Sequence, residues 1–276
     1  MDLFEHIAGI RARGEAAALA TIVRVKGSSP GKEAMKMLVK ADGSFIGSVG
    51  GGCMEAEVWA AAKEVMREEK PRLLEFTLTE DHMGDGGLLC GGSVEVFVEP
   101  LTVPVLVLCG GGHVSKAVAA IADLAGFRVT VVDDRETFAN AERFPMAAAC
   151  VAGPWEDALK SIETGSNTYV VIVTRGHAMD GTCLKWALGT KARYIGMIGS
   201  RRKIRAIYDD CRASGLTDEA LKKVHAPVGL NLGATTSEEI AVAIVAEMVG
   251  IRRGALPGDA RPTSDLARGA IFTDAK

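Results

Sequence analysis

The chain has 276 residues, with 32 basic and 35 acidic side chains and a formal net charge of −3, too small a balance to suggest a nucleic-acid partner. Hydrophobic residues make up 48% of it and aromatics 5%, so the core is drawn from Ala, Val, Leu and Ile, as suits α/β layers. No uninterrupted apolar run approaches the roughly 18 residues of a membrane span. Residues 1–6 lack the basic and apolar regions of a signal peptide, so a cytoplasmic location is expected. Six cysteines, Cys53, Cys90, Cys109, Cys150, Cys183 and Cys211, contain no C-x-x-C pair, which argues against a disulfide framework and a zinc ribbon.

The length suits two domains. Over residues 1–100 the apolar pattern predicts strands at 18–25 and 37–40, and Asp42-Gly43 turns the chain into a further strand at 44–46. Met54, Val58, Ala61, Ala62 and Val65 recur at helical spacing, predicting a helix over 53–69 with Gly50-Gly51-Gly52 at its N-terminus. Strands follow at 73–78 and 94–98, separated by a glycine-rich loop holding Asp81, His82, Asp85 and Cys90. A polar loop is the commoner meaning of such a stretch than a metal cluster. Glu99-Pro100 reads as a linker, giving a small mixed α+β domain over 1–100 that carries 11 basic and 16 acidic side chains. The remainder is net positive, so an anionic ligand is expected there.

From residue 103 strand and helix alternate: helices at 113–125 and 155–162, and strands at 128–132, 147–151, 169–173 and 194–198. A last helix opens with the capping pair Thr236 and Glu239. The pattern predicts a Rossmann-like, doubly wound parallel sheet over 101–251 and an arm or disordered tail over 252–276.

Four constellations stand out. The run Val105-Leu106-Val107-Leu108-Cys109 enters Gly110-Gly111-Gly112-His113-Val114-Ser115, and Asp133-Asp134 closes the next apolar run 23 residues after Gly110. This is the outline of a dinucleotide-binding unit, with a phosphate at the helix N-terminus and an acid for a ribose hydroxyl. Ser115 replaces the third glycine, leaving open a nicotinamide site or a scaffold for another phosphorylated ligand or for none. Cys53 follows three glycines at a helix N-terminus, where the macrodipole favours a thiolate; the alternative is a tight turn with the thiol packed inward. Cys90 either joins it in a two-thiolate site or is incidental. His177, in Thr174-Arg175-Gly176-His177-Ala178-Met179-Asp180, stands after a strand end as a proton donor or a structural histidine. Gly199-Ser200-Arg201-Arg202-Lys203, with Arg205, is either a phosphate clamp at a helix start or a solvated face.

Together these segments resemble the xanthine dehydrogenase accessory protein family, XdhC/CoxI. The likeness runs from Gly27-Ser28-Ser29-Pro30 through Gly50-Gly51-Gly52-Cys53, Cys90-Gly91-Gly92, Gly110-Gly111-Gly112-His113-Val114, Val132-Asp133-Asp134-Arg135 and Thr174-Arg175-Gly176-His177. It continues with residues 194–203 and His225-Ala226-Pro227-Val228-Gly229-Leu230, and departs at Ala34, where a glycine is expected. The resemblance implies a chaperone that binds molybdenum cofactor, as molybdopterin or its dinucleotide form. It implies sulfuration by a cysteine desulfurase and delivery to a molybdenum hydroxylase such as xanthine dehydrogenase. A non-catalytic, homodimeric maturation factor is expected, with Cys53 as the candidate molybdenum contact, since soft thiolates suit that metal. The rival reading is an NAD(P)-dependent oxidoreductase using His177 as its acid; a third is a protein-binding scaffold.

Overall fold

A computed structural model describes residues 2–77, 92–254 and 263. The chain forms two compact units, Met1–Val103 and Pro104–Lys276. No helix among the described residues is long and apolar enough to cross a membrane.

The first unit starts with α1 (Leu3–Arg13), followed by β1 (Ala17–Lys26), β2 (Lys36–Lys40), β3 (Phe45–Gly47), α2 (Gly52–Glu68), β4 (Arg72–Thr77) and β5 (Ser93–Pro100). The strands form one antiparallel sheet in the order β3-β2-β1-β5-β4. Alternation along each strand sends side chains to opposite faces. Ala18, Ala20, Ile22, Met37, Val39, Val94, Val96 and Val98 pack with Met54, Val58, Ala62 and Val65 of α2. Ala17, Leu19 and Leu38 pack with Ile10 of α1. The sequence reading passed over α1, although Leu3, Ile7 and Ile10 share a face, Glu5 Oε2 accepts the Asp2 amide at 3.0 Å, and Gly14 closes the helix at φ 71°. Glu99 and Pro100, read as a linker, belong to β5, and the Leu101 amide still donates to Ala17 O at 2.8 Å.

The second unit contains β6 (Val105–Cys109), α3 (His113–Leu124), β7 (Arg128–Asp133), β8 (Ala149–Ala152), α4 (Trp155–Lys160), β9 (Thr168–Ile172), α5 (His177–Leu188), β10 (Tyr194–Met197), α6 (Arg201–Ala213), α7 (Asp218–Leu221) and α8 (Ser237–Arg253). All five strands are parallel, in the order β10-β9-β6-β7-β8. Val118, Ala119 and Ala122 of α3 and Ala241, Ile244 and Met248 of α8 cover one face. Residues of α4, α5, α6 and α7, among them Leu159, Leu184, Ile207 and Leu221, cover the other. The sheet is therefore doubly wound. The chain moves outward from β6 to β8 and crosses back to β9, so strand order reverses between β6 and β9, where ligands of open α/β sheets lodge. Helix α8 continues to Arg253; residues 255–262 and 264–276, most of the expected tail, lie outside the described residues.

Candidate functional site

The glycine loop after β6 is braced by protein groups. A Cβ at Gly110, whose φ is 113°, would come within 2.5 Å of Val173 O, and one at Gly111 within 2.0 Å of Phe138 O. Gly112, which caps α3, has nothing within 4 Å of that position and so faces open space. Ser115 is buried and its hydroxyl donates to Gly110 O at 2.5 Å, so the residue replacing the third glycine ties the helix to the loop.

Asp133 turns inward on the same loop. Its carboxylate, 2% exposed, accepts from the Gly111 amide at 2.8 Å and from the Arg135 amide, Nε and Nη2 at 3.1, 2.8 and 3.1 Å. Burial pushes its pKa up, but Arg135 and the Gly111 amide outweigh that and hold it below the usual carboxylate value. The acid left at the crevice surface is Asp134, whose Oδ2 accepts from Arg175 Nη2 at 2.9 Å. Arg143 braces the loop from the other side, with Nε on Gly111 O at 2.8 Å.

Because the strands are parallel, α3, α5 and α6 all start at the carboxyl edge of the sheet, each presenting the positive end of its dipole. His113 is exposed at the first position of α3. Ser200 caps α6 by accepting the Lys203 amide at 3.3 Å, while Arg201 and Arg202 are exposed and the Lys203 stem lies against Gly199. The Lys203 ammonium itself is 2.5 Å from Oδ2 of Asp180, a fully buried acid whose Oδ1 accepts from Thr174 Oγ1 at 2.6 Å. His177 Nε2 lies 2.9 Å from Asp210 Oδ2 of α6, beside a groove of about 380 Å³ that Lys185 and Ser214 also line. Gly110, Gly112, His113, Asp133 and Asp134 thus gather at the glycine loop, with Gly199, Ser200 and Arg201 at the end of β10. Lys203 and His177 instead point their polar atoms at neighbouring acids.

Sequence reasoning named Arg135 and Asp180 within their motifs but gave them no role of their own, and it missed Arg143 and Glu247. Glu247 is fully buried, accepts from Tyr194 Oη and the Gly229 amide, each at 2.8 Å, and stands 2.8 Å from His225 Nδ1. An acid in the middle of apolar α8 was its visible signal.

In the first unit, Gly50, Gly51 and Gly52 have φ of 121°, 83° and 65°. Added Cβ atoms at the last two would meet nothing, so the glycines are required there by backbone conformation and not by space. Cys53 follows, exposed in the first turn of α2; among the described cysteines, Cys109, Cys183 and Cys211 are buried and Cys150 is partly so. The hydrogen bond with Cys109, together with burial, pushes the Cys183 thiol far up, and burial raises Cys150 and Cys211. Asp81, His82, Asp85 and Cys90 lie outside the described residues.

Residues 106–248 match the XdhC Rossmann domain and residues 10–77 the XdhC and CoxI family. The chain is 33% identical, over 94% of its length, to uncharacterized protein YqeB of Escherichia coli K12, and spans about half (47%) of that relative. It is 24% identical to a probable xanthine dehydrogenase subunit of Bacillus subtilis 168, over 87% of this chain and 94% of that one. It is also 24% identical to the molybdenum cofactor insertion chaperone PaoD of E. coli K12, over 87% and 84% of the two chains. A crystal structure of a xanthine dehydrogenase from Bacillus halodurans, 22% identical, shares the fold with a TM-score of 0.51, covering 96% of this chain and all of the other. With a Rossmann domain match over 106–248 and a second family match over 10–77, the chain belongs to the XdhC and CoxI family.

Proposed function

We propose that this chain carries molybdenum cofactor and hands it to a molybdenum hydroxylase of the xanthine dehydrogenase type, acting as a maturation factor and not as a catalyst. The observation that carries the reading is the N-terminus of α3 at the strand-order reversal: Gly112 offers no side-chain cap, and among the described residues nothing lies within 4 Å of where its Cβ would be. Amides there, with exposed Arg201 and Arg202 on α6, suit the phosphate of a pterin or of its dinucleotide form. Cys53 supplies an exposed soft donor for molybdenum, and Cys90 is the second thiol to test. The relative PaoD, named as a molybdenum cofactor insertion chaperone, points the same way. Sulfuration by a cysteine desulfurase during residence, a homodimeric carrier and a cytoplasmic location complete the proposal.

A nicotinamide or other nucleotide in the same crevice is the competing reading, favoured by the strand order and by Asp134 at the crevice surface. Against an oxidoreductase stands the first unit, whose exposed Cys53 that reading leaves without a role. The deciding experiment is anaerobic co-expression with an active molybdenum cofactor pathway, then assay of bound molybdenum and oxidised-pterin fluorescence in the parent and in Gly112→Asp. Retention by the parent and its loss in the folded variant are expected. A purified protein holding only a nicotinamide nucleotide overturns the proposal.

A further inference from the structure

A cavity of about 310 Å³ opens in the first unit beside the first two turns of α2, lined by Met37, Phe45, Glu55, Ala56 and Trp59. Four of these five side chains are apolar, and Phe45 leaves 51% of its surface to solvent. The Trp59 ring is anchored. The Trp59 indole donates to Gly43 O at 2.8 Å, and Lys63 Nζ sits 3.3 Å from its ring centroid, so the ring is held in place before any ligand arrives. Glu55 is the cavity's carboxylate. Its Oε1 accepts from Ser48 Oγ at 2.5 Å and the Val49 amide at 3.3 Å, while Oε2 has no partner among the described residues.

We infer that this cavity holds the bicyclic ring of the pterin, stacked on Trp59 and Phe45 with its 2-amino and N3–H donors on Glu55. The identity of the ring rests on the carrier reading above; the chemistry of the cavity is independent of it. A flat heteroaromatic ring with two adjacent donors matches an aromatic wall ended by a group that only accepts. Ala56, a lining residue, follows Cys53 by three positions, so the exposed thiol shares that side of α2. In this arrangement one unit provides both a seat for the ring and a soft donor beside it.

The test titrates the full chain, by isothermal titration calorimetry, with three probes: pterin, lumazine, which has an oxo group in place of the 2-amino group, and guanosine, which carries the same donor edge on a purine. Pterin is expected to bind the parent and to bind Glu55→Gln about tenfold or more weakly, since the carboxamide keeps the Ser48 and Val49 bonds but turns a donor toward donors. Lumazine should bind both proteins equally and weakly. Trp59→Leu should weaken pterin binding and Trp59→Phe retain most of it. Equal pterin affinity in parent and Glu55→Gln, or lumazine as tight as pterin, overturns the inference; guanosine as tight as pterin overturns the assignment to pterin. Cofactor retention is measured in parallel. A parent that retains cofactor, with Glu55→Gln and Trp59→Leu retaining it equally, sinks the cavity and leaves the carrier reading. A parent that retains none, while the pterin series behaves as expected, sinks the carrier reading and leaves the cavity.

Discussion

Replacing Asp133 by Asn tests whether the inward-turned carboxylate holds the glycine loop. The parent side chain is 2% exposed and accepts one bond from Gly111 and three from Arg135. Asn keeps one acceptor oxygen, but its amino group then faces either the Gly111 amide or the guanidinium. Removing one partner of a buried ion pair costs about 3–5 kcal/mol. The Arg135 side chain is 28% exposed and can rehydrate, which brings the expected loss down to about 2–3 kcal/mol. For a domain of this size that corresponds to a melting temperature roughly 4–12 °C lower. Urea titration and calorimetry of the full chain at pH 7 measure it. The folded pKa of Asp133 is depressed, so its contribution is present above the unfolded value, about 3.9, and is lost as pH falls through the folded value. The gap between parent and variant should therefore close in acid. A loss below about 1 kcal/mol at neutral pH, or a gap undiminished well below pH 4, refutes the assignment.

Lys203→Met should strand buried Asp180 without its cation and cost about 3–5 kcal/mol in urea titrations, whereas Arg201→Ala with Arg202→Ala, both exposed, should stay within about 0.5 kcal/mol. If the two exposed arginines contact an anionic ligand, the double variant should bind it more weakly, with a deficit that shrinks at high salt. Gly111→Ala forces a Cβ to 2.0 Å from Phe138 O and should unfold or severely destabilise the second unit, while Gly112→Ala, in open space, should melt like the parent. Cys53→Ser should reduce cofactor retention at unchanged melting temperature; Cys109→Ser, which places a hydroxyl in the core, should lower stability by about 1–3 kcal/mol with no further effect on retention at equal folded concentration.

Much of the fold was readable because the signals are local. The apolar run 105–109 entering three glycines announced β6, the loop and α3. The Thr236–Glu239 pair marked the start of α8, where Glu239 Oε2 accepts the Thr236 amide at 3.0 Å. At Asp42-Gly43 the Asp42 carboxylate accepts the Ser44 amide at 2.8 Å, closing the expected turn with neighbouring residues alone. Helix α5 escaped notice because Asp180, a fully buried acid, and Gly181 interrupt its apolar face; the partner that makes the acid tolerable, Lys203, belongs to another helix.

The sequence by itself determined where strands and helices alternate, that glycines stand where a helix begins, and which residue types line that edge. Each follows from periodicity, turn chemistry and capping, which act over a few neighbouring positions. Only the tertiary structure decided which of those polar groups are taken up by other groups of the protein. Asp133 meets a Gly111 amide 22 residues away, His177 an Asp210 33 away, and Glu247 a Tyr194 hydroxyl 53 away. Burial makes an unpaired polar atom costly, so the buried Asp133 and Glu247 take whatever partners the packed elements bring within hydrogen-bond distance, whereas His177 and Asp210 meet at the surface. No spacing along the chain encodes that choice, because it is made between elements that meet only after the sheet has formed.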